Sequence, residues 1–200
     1  MHAKKGWFGY IKVEFSFHEW YNFAETDPET RSREKMVYTT CKTQAGWVGV
    51  LASEKGLLAA SLPRPTEEEA VRELGEATGQ SVKSPTPFGD LEQRFQAYFR
   101  GETVSFRDEL DLSGATPFQR QVWQQTRLIP YGQTRSYQQI ADAIGKPGAA
   151  RAVGQALGKN PLLVIIPCHR VLASSGGLGG FGGGLKMKKR LLELEGRILP

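Results

Sequence analysis

Hydrophobic and polar positions change rhythm along the chain, and the changes divide it. Near the start Ile11, Val13, Phe15 and Phe17 alternate with Lys12, Glu14, Ser16 and His18, the period of a strand with one apolar face. A polar, charged run at residues 25–34 follows. Residues 1–35 therefore read as an extension, an edge strand plus a linker. From residue 36 come three strand-like runs, 37–40, 46–51 and 56–62, parted by turn residues. Thr66 ahead of Glu67, Glu68 and Glu69 opens a helix, with acidic side chains at the end where the backbone N–H groups are unpaired. Phe88, Leu91, Phe95 and Phe99 lie on one face of a second helix. Strands covered by helices predict a small α/β domain over residues 36–110, ending at a linker, residues 111–114.

After residue 115 the pattern is helical. Thr116 caps and Pro117 starts a helix carrying Phe118, Val122 and Trp123, which breaks at residues 129–132. Ser136 with Gln139 is a capping box, opening a helix with Tyr137, Ile140, Ala141 and Ile144 that Gly145 closes. A Lys-Pro-Gly turn leads to a third helix, residues 149–157, stopped by Gly158 and Asn160-Pro161. Helix, short turn, helix is the signature of a helix-turn-helix, and also of αα-hairpins that never meet DNA. The outward side of the second helix of the pair would show Ala150, Arg151, Gly154 and Gln155. A major-groove reader needs several long polar side chains. Small residues around one arginine suit close approach to a minor groove, or equally tight helix packing.

Charge sharpens this picture. The 200 residues carry a net +5. Residues 1–109 hold 14 Lys/Arg against 17 Asp/Glu, and residues 110–200 hold 12 against 4, so the basic excess lies wholly in the second part. That is the footprint of a polyanion partner, although many basic segments are only solvated faces. Two cysteines exclude a disulfide framework, and the scattered His2, His18, Cys41, Cys168 and His169 give no zinc-finger spacing. The longest apolar run, residues 162–166, is too short to span a bilayer, and no secretory signal is legible, so the expected location is cytoplasmic.

The candidate chemistry sits at the end of that apolar run. Residues 162–167, Leu-Leu-Val-Ile-Ile-Pro, deliver Cys168-His169-Arg170-Val171. A lone cysteine is often a small core residue. Flanking by His and Arg points instead to a thiol whose pKa is lowered and whose thiolate is a nucleophile. Seven of the nine residues from 176 to 184 are glycine, a loop able to approach a ligand closely. Lys186, Lys188, Lys189 and Arg190 lie on the last helix. Cys41, with no His or carboxylate pattern near it, reads as a structural thiol.

Pro167-Cys168-His169-Arg170-Val171 resembles the active-site motif of the O6-alkylguanine-DNA alkyltransferases, also called methylated-DNA–protein-cysteine methyltransferases. The resemblance extends, in the family's order, over Thr116-Pro-Phe-Gln119, Pro130-Tyr-Gly132, Ser136-Tyr137, Ala150-Arg-Ala-Val-Gly154, Gly158-Lys-Asn-Pro161, the glycine loop and Glu193-Leu-Glu-Gly196. It implies an α+β protein of two domains. Residues 36–110 would be a ribonuclease-H-like scaffold, and residues 115–200 a mainly helical, winged-helix-like domain with the helix-turn-helix.

The resemblance also implies roles. Cys168 would accept the alkyl group irreversibly, one per molecule, with no cofactor. His169 would act through a water as base, with Glu195 orienting it, the logic of a catalytic triad. Asn160 would tie the helix-turn-helix to the cysteine segment. Tyr137 would donate to the departing guanine and help rotate its phosphate, and Arg151 would fill the gap left by the flipped nucleotide. Ala150, Ala152, Gly154, Gln155, Ser136 and Thr116 would meet the DNA. Val171, Leu157, Gly179, Gly180, Phe181, Gly182 and Gly183 would line the base pocket. The implied partner is double-stranded DNA containing O6-alkylguanine, bound by a monomer through the minor groove, with no membrane and no metal. Phe181 stands where several relatives have tyrosine and Gly182 where some have serine, each removing a hydroxyl. Two other classes fit the unaided residues: a helix-turn-helix protein that binds lesions or regulates without chemistry, and a Cys-His hydrolase of small molecules.

Overall fold

The computed structural model describes residues 36–75, 78–79, 81–84 and 88–197; the alternating strand and linker expected before residue 36 lie outside them. Strand β1 (Val37–Thr43) and strand β2 (Gly46–Ser53) form a hairpin, and β3 (Gly56–Ala60) continues the antiparallel meander. A two-residue strand, β4 (Val82–Lys83), adds in parallel beside β1, giving the order β3-β2-β1-β4. Residues 48–53 of β2 are all buried, as a central strand covered on both faces must be. Cys41 is buried on β1, where burial and nearby Glu92 push its thiol up to about 12, so it behaves as an inert core thiol.

Helix α1 (Glu67–Glu73) starts where expected, with the Thr66 side chain accepting from the Glu69 amide. Helix α2 (Leu91–Phe99) buries Leu91, Phe95, Tyr98 and Phe99, one face of a 3.6-residue period, against β1. Phe88 precedes this helix and is also buried.

The third strand is shorter than its apolar run. The Ala60 amide donates to the Pro161 carbonyl at 2.9 Å and the Ala60 carbonyl accepts from Leu163 at 3.2 Å. The edge of the sheet thus turns its remaining backbone groups to the segment that leads to Cys168. Arg127 fastens the halves elsewhere, its guanidinium donating to the carbonyls of Phe106 and Asp108.

Helices α3 (Pro117–Arg127) and α4 (Tyr137–Ala143) follow the predicted caps, and α5 (Ala150–Gly158), which has no side-chain cap, runs one residue further than expected, through Gly158. Both Thr116 and Ser136 form complete capping boxes, with Gln119 and Gln139 respectively. The Trp123 indole donates to the Ala156 carbonyl at 2.9 Å, locking α3 to α5. Strand β5 (Arg135–Ser136) pairs in parallel with β6 (Val171–Leu172), and α6 (Leu185–Leu194) closes the fold. The expected α+β architecture, scaffold sheet first and helical part second, is what the chain adopts. Among the described residues no helix is long and apolar enough to cross a membrane.

Candidate active site

Residues 162 and 164–166 are buried, but they form a tight coil, not a strand: the Ile166 amide donates to the Leu162 carbonyl, and Val164 has φ +72°. A β-branched residue adopts that left-handed conformation only under constraint from its surroundings. The coil ends in a single 3-10 turn, Cys168–Arg170, all three residues of which are buried. Asn160, just past α5, donates from Nδ2 to the Ile166 carbonyl at 2.9 Å and to Cys168 Sγ at 3.2 Å, while its Oδ1 accepts from the Leu162 amide. One amide side chain thereby couples the end of the helix-turn-helix to the sulfur.

Behind the sulfur lies a buried charge cluster. His169 Nε2 is 2.8 Å from Glu195 Oε1. The same carboxylate accepts from the Arg170 guanidinium at 2.9 Å on each oxygen, from the Gly132 amide at 3.1 Å, and from the Tyr98 hydroxyl at 2.7 Å. Arg170 also donates to the Ile129 carbonyl at 2.6 Å. A carboxylate beside Nε2 places the imidazole proton there, leaving Nδ1 as the lone-pair nitrogen. Nδ1 is buried and has no protein hydrogen-bond partner.

Burial alone would raise the Glu195 carboxyl, but the hydrogen bonds and charges of His169 and Arg170 outweigh it and hold Glu195 at about 2. For His169 burial dominates and pushes the imidazole down, against the pull of Glu195. The Cys168 thiol is raised by burial, only partly offset by the Asn160 hydrogen bond and the Lys188 charge. This corrects the expectation of a lowered thiol. The flanking bases are turned away from the sulfur, Arg170 onto Glu195 and Ile129, and the His169 Nε2 edge onto Glu195. At neutral pH the resting site is thus a neutral thiol and a neutral imidazole over a carboxylate–guanidinium pair.

Cys168 opens into a cavity of about 610 Å³. Tyr137, Ala150, Arg151, Gly154, Gln155, Leu157, Gly180, Phe181 and Gly182 line it together with Cys168, as the sequence led us to expect of them. Gly158, Ala173 and Ser174 complete the lining and were not anticipated. Six expected wall or contact residues lie elsewhere. Val171 is fully buried and not part of the lining, and Ala152 is half-buried beyond the lining. Gly179 packs on the Tyr137 ring, where a Cβ would fall 2.8 Å from the ring and hydroxyl, and its φ of +65° favours glycine. Gly183 packs on Leu62 of the scaffold. Thr116 and Ser136 use their side chains as helix caps.

Lys188 is the largest surprise among the basic residues of the last helix. It is fully buried, donates to the carbonyls of Val171, Leu178 and Gly180, and lies 5.7 Å from the Tyr137 ring centroid. Burial lowers it to about 8. It pins the glycine loop together with the Tyr137 hydroxyl, which donates to the same Gly180 carbonyl at 3.2 Å. Arg151 stays exposed at the cavity rim on α5, among Ala150, Gly154 and Gln155. Among the described residues no cluster of three or more His, Cys, Asp or Glu is placed to hold a metal.

Comparison with known proteins places both halves. The profile described as "6-O-methylguanine DNA methyltransferase, ribonuclease-like domain" matches residues 36–112, and that described as "6-O-methylguanine DNA methyltransferase, DNA binding domain" matches residues 117–197. A protein of Mycolicibacterium paratuberculosis named methylated-DNA–protein-cysteine methyltransferase is 52% identical over 119 residues, 60% of this chain and 72% of that protein. A protein of Salmonella typhimurium with the same name is 46% identical over 121 residues, 60% and 71% of the two chains. The crystal structure of Mycobacterium tuberculosis OGT in complex with DNA superposes with a TM-score of 0.67 at 42% identity, covering 80% of this chain and 92% of that one. The O6-methylguanine-DNA methyltransferase of the archaeon Pyrococcus kodakaraensis gives 0.60 at 29% identity, covering 80% and 99%.

Proposed function

Because the chain belongs to the family of methylated-DNA–protein-cysteine methyltransferases, we propose that it repairs O6-alkylguanine in double-stranded DNA by moving the alkyl group irreversibly onto Cys168. The observation that carries the assignment of the acceptor is a buried thiol opening into the cavity beside a His169–Glu195 pair whose Nδ1 is free to take a proton.

The reaction balances without a cofactor. The Cys168 proton passes, through a bridging water, to His169 Nδ1, and Glu195, itself held ionised and in place by Arg170, stabilises the imidazolium that forms. The sulfur attacks the alkyl carbon, forming a C–S bond as the C–O6 bond breaks and its electron pair stays on guanine. Tyr137 donates a proton to the departing base, which leaves as neutral guanine, and the proton held on His169 passes through solvent to restore the Tyr137 hydroxyl, so both groups end neutral. The thioether is stable, so each molecule acts once.

Access requires the nucleotide to leave the stack, since the sulfur lies inside a cavity and O6 inside the duplex. The smooth face of α5, with Ala150, Ala152, Gly154 and Gln155, lies against the minor groove, and Arg151 enters the gap. Thr116 and Ser136, whose own amides are taken by Gln119 and Gln139, set the N-terminal ends of α3 and α4 toward the phosphates. Leu157, Gly180, Phe181 and Gly182 hold the flipped base, with Val171, Gly179 and Gly183 supporting them. The scaffold spans residues 36–110 and the DNA-binding, alkyl-transfer part residues 115–200. The protein works as a cytoplasmic monomer.

The test is the mass of the intact protein after incubation with a duplex containing O6-methylguanine. One added methyl mass on the peptide holding Cys168, never more than one per molecule and absent from Cys168→Ala, is the expected result. Lesion binding without a mass change would make the protein a sensor, and repeated turnover of small esters or amides a hydrolase.

A further inference from the structure

Among the described residues, the scaffold domain contributes a side-chain hydroxyl to the site. Tyr98 lies on α2, on the same face as Leu91, Phe95 and Phe99, and nothing in that apolar stripe demands a hydroxyl. Its ring is fully buried, edge-on to Phe99, Phe106 and Tyr131 with centroids 5.1, 6.1 and 6.0 Å away. A phenylalanine would fill this space without the need to satisfy a buried O–H, whose desolvation otherwise costs stability. The hydroxyl reaches out of the stripe, donates to Glu195 Oε1 at 2.7 Å, and passes 3.3 Å from His169 Nε2.

We infer that Tyr98 is a positioning residue for alkyl transfer: its hydroxyl fixes the Glu195 oxygen that His169 uses, so the first domain sets the orientation and basicity of the base in the second. The inference rests on the alkyl-transfer reading above. Oε1 accepts from His169, Arg170 and Tyr98 together, more donors than its two lone pairs serve fully. The Tyr98 donor therefore draws charge from the oxygen and weakens its hold on an imidazolium. The hydroxyl is a dependable donor, since burial and the Glu195 charge keep it from ionising. The charged or titratable groups acting on His169 are Glu195 and Lys188 from the last helix and its end, and Arg170 from its own turn. Beside them stands the Tyr98 hydroxyl, 3.3 Å from His169 Nε2 and contributed by the scaffold.

The sign follows. Without the hydroxyl Glu195 binds the imidazolium more strongly, so His169 stays protonated to a higher pH and the neutral base appears later. Tyr98→Phe should slow single-turnover methyl transfer about tenfold. It should also move the rising limb of the rate–pH profile to higher pH. Incorporating 3-fluorotyrosine at position 98, which keeps the ring and makes the hydroxyl a stronger donor, should move that limb to lower pH. Tyr131→Phe is the control. It removes a hydroxyl of similar reach, which donates to Gly101 O and Leu194 O and does not touch Glu195. It should lower stability and leave the pH profile in place.

All rates are compared at a temperature where every variant is folded by circular dichroism. An unmoved limb in both position-98 variants, or an equal rate loss in Tyr131→Phe, overturns the inference. Failure of the unsubstituted protein to take up a methyl group would instead overturn the alkyl-transfer reading itself.

Discussion

Asn160 and Cys168 share a hydrogen bond, Nδ2 to Sγ at 3.2 Å, although they stand eight positions apart with a strained coil between them. The other contacts of the same amide, to the Ile166 carbonyl and the Leu162 amide, hold that coil in shape. Sulfur position and coil geometry are therefore one structural variable.

Asn160→Ala should cost about 2 kcal/mol of stability, because it leaves the buried Leu162 amide unpaired and strips the Ile166 carbonyl of one of its two donors, the Cys168 amide being the other. It also removes the one side-chain hydrogen bond that favours the thiolate, so the thiol should rise further. A lower urea midpoint together with slower methyl transfer, more so at lower pH, is the expected pattern. Unchanged transfer in a destabilised protein would restrict Asn160 to a structural role.

Acid should expose the Glu195 cluster. A carboxylate held at about 2 in the folded chain, against an ordinary 4.5, binds fewer protons folded than unfolded. Its contribution to stability is complete above pH 4.5 and is lost as the pH falls towards 2. The size is on the order of a few kcal/mol for a shift of this extent. Denaturant unfolding between pH 6 and pH 3 should show a drop that is much smaller in Glu195→Gln, even though that variant starts less stable. Equal slopes in the two proteins would contradict the assignment.

Arg151→Ala should discriminate between substrates. The side chain is exposed at the rim of the cavity, and the gap-filling role proposed for it matters only to a reaction that requires the duplex to open. Repair of duplex DNA should fall by about tenfold or more, with reaction of free O6-benzylguanine almost unchanged. Equal losses on both substrates would show that the arginine acts on the pocket and not on the DNA.

Gly179→Ala should disturb the pocket without touching the sulfur. The added methyl would meet the Tyr137 ring and hydroxyl at 2.8 Å in a backbone conformation alanine resists. The loop has to move off Tyr137, breaking the Tyr137–Gly180 hydrogen bond. Free-base and duplex reactions should both slow, and the intrinsic reactivity of Cys168 with a small alkylating reagent should be retained or increased.

Much of the site is legible from sequence where chemistry is concentrated in adjacent letters. Cys168 and His169 are neighbours, and the caps of α3, α4 and α1 follow directly from Thr116, Ser136 and Thr66. Tyr98 was hidden because it repeats the spacing of an ordinary apolar stripe; a hydroxyl in a stripe of phenylalanines was the available signal. Lys188 was hidden among exposed neighbours, although Leu191 and Leu192, three and four residues on, mark the inward face. Strand β4 is two exposed residues long and leaves no periodicity to read. The direction of the thiol shift was misread because sequence adjacency does not say which way a base points. Here the His169 Nε2 edge and the Arg170 guanidinium point to Glu195, and burial decides.

The raised thiol has a consequence for a protein that can react only once. Oxidants and stray electrophiles consume thiolates far faster than thiols. A Cys168 kept protonated in the resting chain is therefore shielded from the reagents that would retire the molecule before it meets its lesion. Durability in storage and reactivity on engagement are then properties of two different protonation states of the same atom.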